Sequence, residues 1–548
     1  MSSTLLKLTR MFAFAIVLST IMLCVQAVSA QETRGTIRGT VTDPNGGAVP
    51  NASVQVIDPT RGNTVKLTTN SDGFYQANYL VPGTYQIAVE APGFKKTLRD
   101  NVLLQIGSSI QVDVPLEVGG AQETVNVTAD IPQLNTENAS LGQVVDQQRI
   151  NELPTPHGDP YALIGLSNGV AFTGDPRLDR PFEPTHIVGY AINGVRGNRM
   201  DLTIDGVAAT ATADANQITA SYVPPSDVIQ EFKVQTATFD AQFGNTEGAV
   251  TSILIKSGAN KIHGSAYLST EPVRFAANDS FGKGRGQAKP QSYSYRDGGY
   301  ISGPIRKDKT FFLFGIETIK DARPRFDVTN NGATTQIPTA ALASGDFSQY
   351  MCAAGVNSTT SCTNIFNPYT LTSGSSGTAT QFSDVSRATA SNPTGLNIIP
   401  ANLISPVAKA FLTFMGSPKN PGLAGNINDS TLLETTSPYY NYTFRVDHQV
   451  SQNNHMFVRG SWYNRVGLYN RYTDSAYDGQ AFAFYSRGGV IDDVHIFNST
   501  TFLNVKYGYN RFVRYQQSQN DAVGFDLTKL WGATQGGLYN GIVPTAIR

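Results

Sequence analysis

The 548-residue sequence predicts a mainly β, exported chain in three tiers: an N-terminal β-sandwich, an α/β unit, and the first strands of an incomplete transmembrane β-barrel. Three observations carry this prediction. Turn-formers and rings are abundant, with 51 Gly, 28 Pro, 24 Tyr and 28 Phe. Only 15% of residues are charged, and apolar residues recur with the period of two that marks a strand. The N-terminus, finally, has the form of an export signal. A formal net charge of −1 removes the electrostatic case for a nucleic-acid partner. Low charge together with plentiful rings also argues against general disorder.

Lys7 and Arg10 precede an apolar run from Met11 to Val25, and Val28-Ser29-Ala30 places small residues before Gln31. This pattern predicts a signal peptide over residues 1–30. The run is shorter than the ~20 residues that a spanning helix requires, and no other segment reaches that length. Cys24 leaves with the signal. Cys352 and Cys362 remain, in a stretch rich in Ser, Thr and Asn, and in an oxidising compartment they are expected to close a loop disulfide. Two cysteines without a nearby His make no zinc site.

Residues 31–118 carry the sandwich. Thr36 to Val41 and Ala52 to Ile57 alternate in period two, separated by the turn Asp43-Pro44-Asn45-Gly46-Gly47. Gly73-Phe74-Tyr75, the turn Leu80-Val81-Pro82-Gly83-Thr84-Tyr85, Gln86 to Val89 and Gly93-Phe94 continue the pattern of short strands. This segment resembles the carboxypeptidase regulatory-like domain, a transthyretin-like sandwich found in front of several exported proteins. The resemblance implies a structural or interaction module and implies no peptidase activity.

The residues themselves give little support to catalysis. The six histidines are His157, His186, His263, His448, His455 and His495, and none begins a His-x-x-Glu or His-Glu-x-x-His arrangement. Gly165-Leu166-Ser167-Asn168-Gly169 matches a nucleophile elbow, yet Gly169-Val170 leads into a polar, Pro-containing stretch where the elbow needs a helix. Ser167 therefore reads as a turn after a short helix around Tyr161 to Leu166. No Gly-Lys-Ser/Thr phosphate loop occurs. The expectation is a protein that is not an enzyme, with no catalytic residue, metal or cofactor.

A linker over residues 119–130 contains Glu123, Thr124, Val125, Asn126, Val127, Thr128 and Ala129 behind the loosening pair Gly119-Gly120. Its alternating β-branched residues favour an extended backbone, which can add as a strand to a partner's sheet. The segment resembles a TonB box. Residues 131–259 follow with Thr136 to Val145, Ile150-Asn151-Glu152-Leu153-Pro154, Tyr161 to Leu166, Ile192 to Arg199, Leu202 to Val207, Ile229 to Val234 and Phe239 to Gly244. In this order they resemble the plug domain of a TonB-dependent receptor, in particular the Oar-like group, which also carries the regulatory-like sandwich. Gly248 to Val250, Ile255 to Asn260 and His263 to Tyr267 resemble that group's entry into the barrel.

The resemblance implies an outer-membrane receptor, seated in outer-membrane lipid, that binds an extracellular glycan, peptide or chelate. It also implies import driven by a TonB-type energy-coupling protein that grips the box. Gly-containing turns after Asn193 and Asp205 let the strands of the α/β unit reverse. Arg196, Arg199, Asp205, Glu231 and Asp240 lie near predicted strand ends and are expected to meet a polar barrel wall through charge-assisted bonds.

From residue 260 to 548 the strands are amphipathic. Tyr440, Tyr442, Phe444 and Val446 form an outward set against Asn441, Thr443, Arg445 and Asp447. Leu503, Val505, Tyr507 and Tyr509 oppose Asn504, Lys506, Gly508 and Asn510. Met456, Val458, Gly460 and Trp462 alternate with Phe457, Arg459, Ser461 and Tyr463, and Phe311 to Phe314 add a further aromatic segment. Lipid on one side and water on the other select such alternation. The polar stretch from about 321 to 438 reads as a long extracellular loop. About seven strands are countable, whereas the family's barrel closes with about twenty-two. An open edge in lipid leaves backbone groups unpaired, and no terminal aromatic strand precedes Ala546-Ile547-Arg548. The chain is therefore expected to be the N-terminal part of a longer receptor. The alternative expectation is a surface adhesion or assembly protein that uses sandwich and strands as a binding scaffold without transport.

Overall fold

The computed structural model of the chain describes residues 33–518 apart from 120–123, 128–140, 174–188, 213–217, 284–292, 325–336, 353–361, 368–379, 383–396, 414–433, 470–479 and shorter gaps of one to three positions. The predicted signal segment and Cys24 lie outside the described residues. The fold is mostly β: a sandwich, an α/β unit, and a partly formed, unclosed barrel wall.

The sandwich contains β1 (Gly35–Thr42), β2 (Ser53–Asp58), β3 (Asn63–Thr68), β4 (Phe74–Leu80), β5 (Gly83–Glu90), β6 (Lys96–Leu104), β7 (Ser109–Gln111) and β8 (Val114–Pro115). Strand β9 (Thr124–Val127) joins it from the linker. One sheet runs β4-β1-β7 with β8 also on β1, and the other runs β3-β2-β5-β6-β9. Alternation makes this possible: every second residue of β1 is buried, and Ile37 and Val41 meet Val54, Val56, Ile87, Val89, Leu104 and Leu116 in one core. Asp43 closes the first turn by accepting from the amides of Asn45 (2.9 Å) and Gly47 (2.7 Å). Gly39 is required by close approach, since a Cβ there would lie 1.9 Å from the Val112 carbonyl oxygen. That oxygen also accepts from the buried Tyr75 hydroxyl at 2.6 Å.

The α/β unit contains β10 (Leu141–Asp146), β11 (Val170–Phe172), β12 (Tyr190–Ile192), β13 (Met200–Ile204), β14 (Val207–Ala208), β15 (Thr210–Thr212), β16 (Ile218–Ala220), β17 (Ile229–Ala237) and β18 (Ala249–Ile255). Its main sheet has the order β10-β17-β18-β13-β14. Every residue of β13 and β18 is buried, and the two pair in parallel at the sheet's centre. That placement leaves neither strand a solvent-exposed face, although Asp201, Thr203, Thr251 and Ser252 are polar. Asp205 (φ 52°) and Gly206 (φ 75°) form the two-residue loop joining β13 to β14. Two successive positive φ values are what a tight hairpin needs, and Asp-Gly supplies them at low cost. A helix, Gln147–Glu152, follows β10, and its first turn is capped by Asp146, which accepts from Arg149 N at 2.9 Å.

The wall is built from β19 (His263–Glu271), β20 (Tyr293–Arg306), β21 (Thr310–Pro324), β25 (Tyr439–Ser451), β26 (Asn454–Tyr469), β27 (Gln480–Asn498) and β28 (Thr501–Ser518), antiparallel in that order. Between β21 and β25 come the short β22 (Phe366–Asn367), β23 (Thr380–Gln381) and β24 (Glu434–Thr436), the last extending the wall beside β21. The outward set behaves as alternation requires: Phe444, Trp462 and Tyr507 are 51%, 50% and 68% exposed, while Asn441 and Thr443 are fully buried. The inner face is only partly polar. Leu313, Ile319, Tyr439, Tyr463 and Phe484 share one core with Tyr161, Phe232 and Ile253 of the α/β unit. Residues between β21 and β25 fold around Asn397, which is fully buried at φ 57°. Its side chain accepts from Ile365 N (2.7 Å) and donates to the carbonyls of Thr363 (3.0 Å) and Phe347 (3.2 Å).

Gly39→Ala is expected to force β1 away from the strand after β7 and to destabilise the sandwich by about 1–3 kcal/mol. Limited proteolysis of residues 33–118 in membrane-inserted chain checks this; unchanged resistance contradicts the close approach.

Candidate functional site

The site with the most unusual chemistry lies where the α/β unit meets the inner face of the wall. Asp205 sits at the hairpin tip with its side chain 1% exposed, between two wall guanidiniums. Arg445 Nη1 is 3.2 Å from Asp205 Oδ1, and Arg459 Nε is 2.6 Å from Oδ2. The Arg459 contact is close but off the hydrogen-bond axis, so it acts as an ion pair. Arg445 is satisfied further by Asp447 (2.8 Å), by the Ile255 carbonyl (3.1 Å) and by the Phe457 ring beneath it. The Ile255 amide donates back to Asp205 Oδ1 at 3.1 Å. Two cations and two carboxylates thus balance in number, a condition for burying charge.

A second cluster forms around Glu317, fully buried on β21. It accepts from Arg296 Nε (2.8 Å), from the Tyr439 hydroxyl (2.6 Å) and from the Tyr267 hydroxyl. Arg296 also donates to Ser226 Oγ of the α/β unit at 2.9 Å. Between the clusters, the Tyr222 hydroxyl meets Asn441 Oδ1 (2.8 Å) and the Thr443 hydroxyl, while Asn441 Nδ2 donates to Val223 O at 2.8 Å. Burial pushes the Tyr222 phenol well above its usual range, opposed in part by the Thr443 hydroxyl and Arg459. It stays neutral and serves as a hydrogen-bonding strut.

The sandwich attaches to the same assembly. Ile106 N donates to Glu231 Oε1 at 2.6 Å and Gln230 Nε2 to Pro82 O at 2.8 Å. Arg34 reaches Asp492 of the wall at 2.7 Å, and Lys506 lies 3.3 Å from the same carboxylate. Asn260 N donates to Thr60 O at 3.0 Å.

Of the five charges expected to meet the wall, Asp205 lies against it. Glu231 does not; its strand β17 turns that carboxylate toward the sandwich, which covers this face of the sheet. Arg199 is exposed and pairs with Glu247 at 3.5 Å inside the α/β unit, beside the start of the parallel β13/β18 pair. Arg196 and Asp240 lie outside the described residues. In the box segment, Glu123, Thr128 and Ala129 also lie outside them, while the backbone of Thr124–Val127 forms β9, parallel to β6. Cys352 is bonded to Cys362. Ser167 is buried at the end of the helical turn Pro160–Leu166, its amide donating to Ile164 O at 3.1 Å. Among the described residues no three of His, Cys, Asp and Glu gather to hold a metal ion. Alternation along the sequence places Arg445 on the inner set but does not single out Glu317, Arg296 or Tyr222; the signal for Glu317 is a carboxylate stranded in a run of aromatic and aliphatic residues.

The family model described as "Outer membrane beta barrel domain" matches residues 254–547, more than half the chain, and the carboxypeptidase regulatory-like domain matches 36–117. The TonB-dependent transporter Oar of Myxococcus xanthus is 25% identical over 292 residues, which are 51% of this chain and 26% of that protein. The outer membrane transporter YddB from Escherichia coli aligns over 69% of this chain and 40% of its own, at 11% identity and a TM-score of 0.42. The siderophore receptor PirA from Pseudomonas aeruginosa aligns over 69% and 42%, at 10% identity and a TM-score of 0.37. The chain thus spans about a quarter of the length of Oar and about two fifths of the two solved structures.

Asp205→Ala leaves two buried guanidiniums short of a counter-charge and is expected to destabilise the joined unit and wall by about 3–5 kcal/mol. Thermal unfolding of the detergent-solubilised chain measures the loss; a shift within error shows that the ion network contributes nothing. Glu231 gives a pH signature. Burial first, with Asp146 adding, lifts its carboxyl from 4.5 to about 7, against the Ile106 amide and Lys233. A raised carboxyl favours the docked state in its protonated form, so the contribution is full at low pH and is lost as pH rises through about 7. Glu231→Gln retains an acceptor for Ile106 and is expected to flatten the fall in thermal midpoint between about pH 5 and about pH 8. An identical slope in the variant assigns the titration elsewhere.

Proposed function

Because the chain belongs to the outer-membrane β-barrel domain family, and so resides in the outer membrane, we propose that it is a TonB-dependent receptor whose wall encloses the α/β unit as a plug. On this reading the tiers run as sandwich (31–118), linker with box (119–130), plug (131–259) and barrel strands from 260 onward. A glycan, peptide or metal chelate binds outside, where the residues around Asn397 offer a folded surface. An energy-coupling partner of the TonB type grips residues 123–129 from the periplasm. The chemistry is mechanical and uses no cofactor. The observation that carries the reading is a separately folded unit locked by buried charge against the inner face of an amphipathic strand wall.

The plug's topology supports a direction for the force. Among the described residues, strand β10 is the first element after the box and an edge strand of the main sheet. Tension passed on through residue 130 reaches its antiparallel ladder at the end where Leu141 faces Ala237. Buried β13 and β18, tied to the wall through Asp205, lie on the far side of β17. On this reading remodelling involves β10, the strand that follows the box in sequence.

Val125→Pro removes a backbone donor from the box and bends its extended path. It is expected to abolish capture of the membrane-inserted receptor by the purified periplasmic domain of a TonB-type protein, with insertion unchanged. Capture equal to that of the native sequence would remove residues 123–129 from the coupling role.

A further inference from the structure

Strand β9 is not a loose peptide. Its four residues pair in parallel with β6, Lys96 opposite Thr124 through Arg99 opposite Val127. The chain leading into it is fastened alongside: Lys95 N donates to Glu117 O (2.8 Å), Gly119 N to Gly93 O (3.2 Å), and Phe94 bridges Val118. Strand β9 closes the order β3-β2-β5-β6-β9, and among the described residues no strand pairs with its outer edge. Successive residues of a strand direct their amide and carbonyl groups to alternate edges. Half of the segment's backbone groups are therefore committed to β6, and the other half face outward in strand geometry. The sheet is itself held to the plug through the Ile106–Glu231 and Pro82–Gln230 contacts, so this edge occupies a fixed position.

We propose that the sandwich presents the box as a ready-made sheet edge, and that the coupling partner docks by adding its own strand outside β9 while β6 keeps the inner side. The inference deepens the coupling reading and rests on it. The partner it fits is an exposed β-strand of another protein, recognised through main-chain hydrogen bonds. Ordering an extended segment opposes binding when the peptide is loose. Here the sandwich has already supplied that order, and β6 becomes part of the docking site without touching the partner. The regulatory-like sandwich thereby acts as a holder that keeps the box extended and its outer edge open.

The test is a receptor carrying Leu98→Cys and Asn126→Cys, which stand opposite each other in the register. Oxidised and reduced forms are compared for capture by the purified periplasmic domain of a TonB-type protein, beside a receptor lacking residues 123–129. Hydrogen exchange is followed over 96–99 and 124–127. The expected result is loss of capture on deletion, capture by the oxidised form at least equal to the reduced form, and protection of 96–99 retained when the partner is bound. An oxidised form that binds about tenfold more weakly, with 96–99 losing protection on binding to the native receptor, overturns the proposal in favour of displacement from β6. Absence of the cross-link, or unprotected 124–127 amides before the partner is added, overturns it in favour of a loose peptide and leaves the coupling reading intact. Capture undiminished by the deletion overturns the coupling reading itself.

Discussion

A single carboxylate between two guanidiniums organises the interior. Asp205 needs both Arg445 and Arg459 because a buried charge without compensation is costly, and each arginine needs Asp205 for the same reason. This mutual requirement fixes how the hairpin of the α/β unit sits relative to β25 and β26. Apolar packing between Phe232, Tyr439 and Phe484 supplies area but little direction, since hydrophobic contact tolerates sliding. Charge does not tolerate it. The hydroxyl and amide contacts of Tyr222 and Asn441 extend the same specification along β25, and Glu317 with Arg296 repeats it on β20 and β21.

Several attachments then hold the sandwich to this interior, among them the Ile106 amide on Glu231, the Pro82 carbonyl accepting from Gln230, Arg34 on Asp492 and the Thr60 carbonyl accepting from the Asn260 amide. They involve both the α/β unit and the wall. Displacing the sandwich would therefore disturb two partners, and movement of the α/β unit relative to the wall would be felt at the sandwich. Strand β17 is central to this geometry, because it pairs with the edge strand β10 on one side and carries the sandwich contacts on its own length.

Much of the architecture is legible in the sequence because it is local. Period two in Tyr440 to Asp447 separates the two faces of β25 without any knowledge of its neighbours, and the Asp205-Gly206 pair announces its hairpin. What the sequence does not reveal is destination. Asp205 meets Arg445 across 240 positions, and no periodicity encodes that distance. Alternation along β17 assigns Glu231 to a face, but only tertiary packing decides that the sandwich covers that face. The inner wall is legible as polar, yet Tyr439, Tyr463 and Phe484 are packed there because another unit fills the space. The box is legible as extended; its parallel pairing with β6 has no local signature, since parallel partners are joined by long connections.

The unit around Asn397 has a different kind of consequence. One buried amide ties together Phe347, Thr363 and Ile365, and a disulfide closes the neighbouring turn. These ties all lie at the base of the segment. The Phe382 amide donates to the Ile365 carbonyl at 2.8 Å, so the return of the chain from β23 is held by the same short stretch that Asn397 holds. These ties lie within the segment between β21 and β25, so substitutions among them leave the buried charges shared by the α/β unit and the wall in place. This segment can thus vary independently of the wall that carries it.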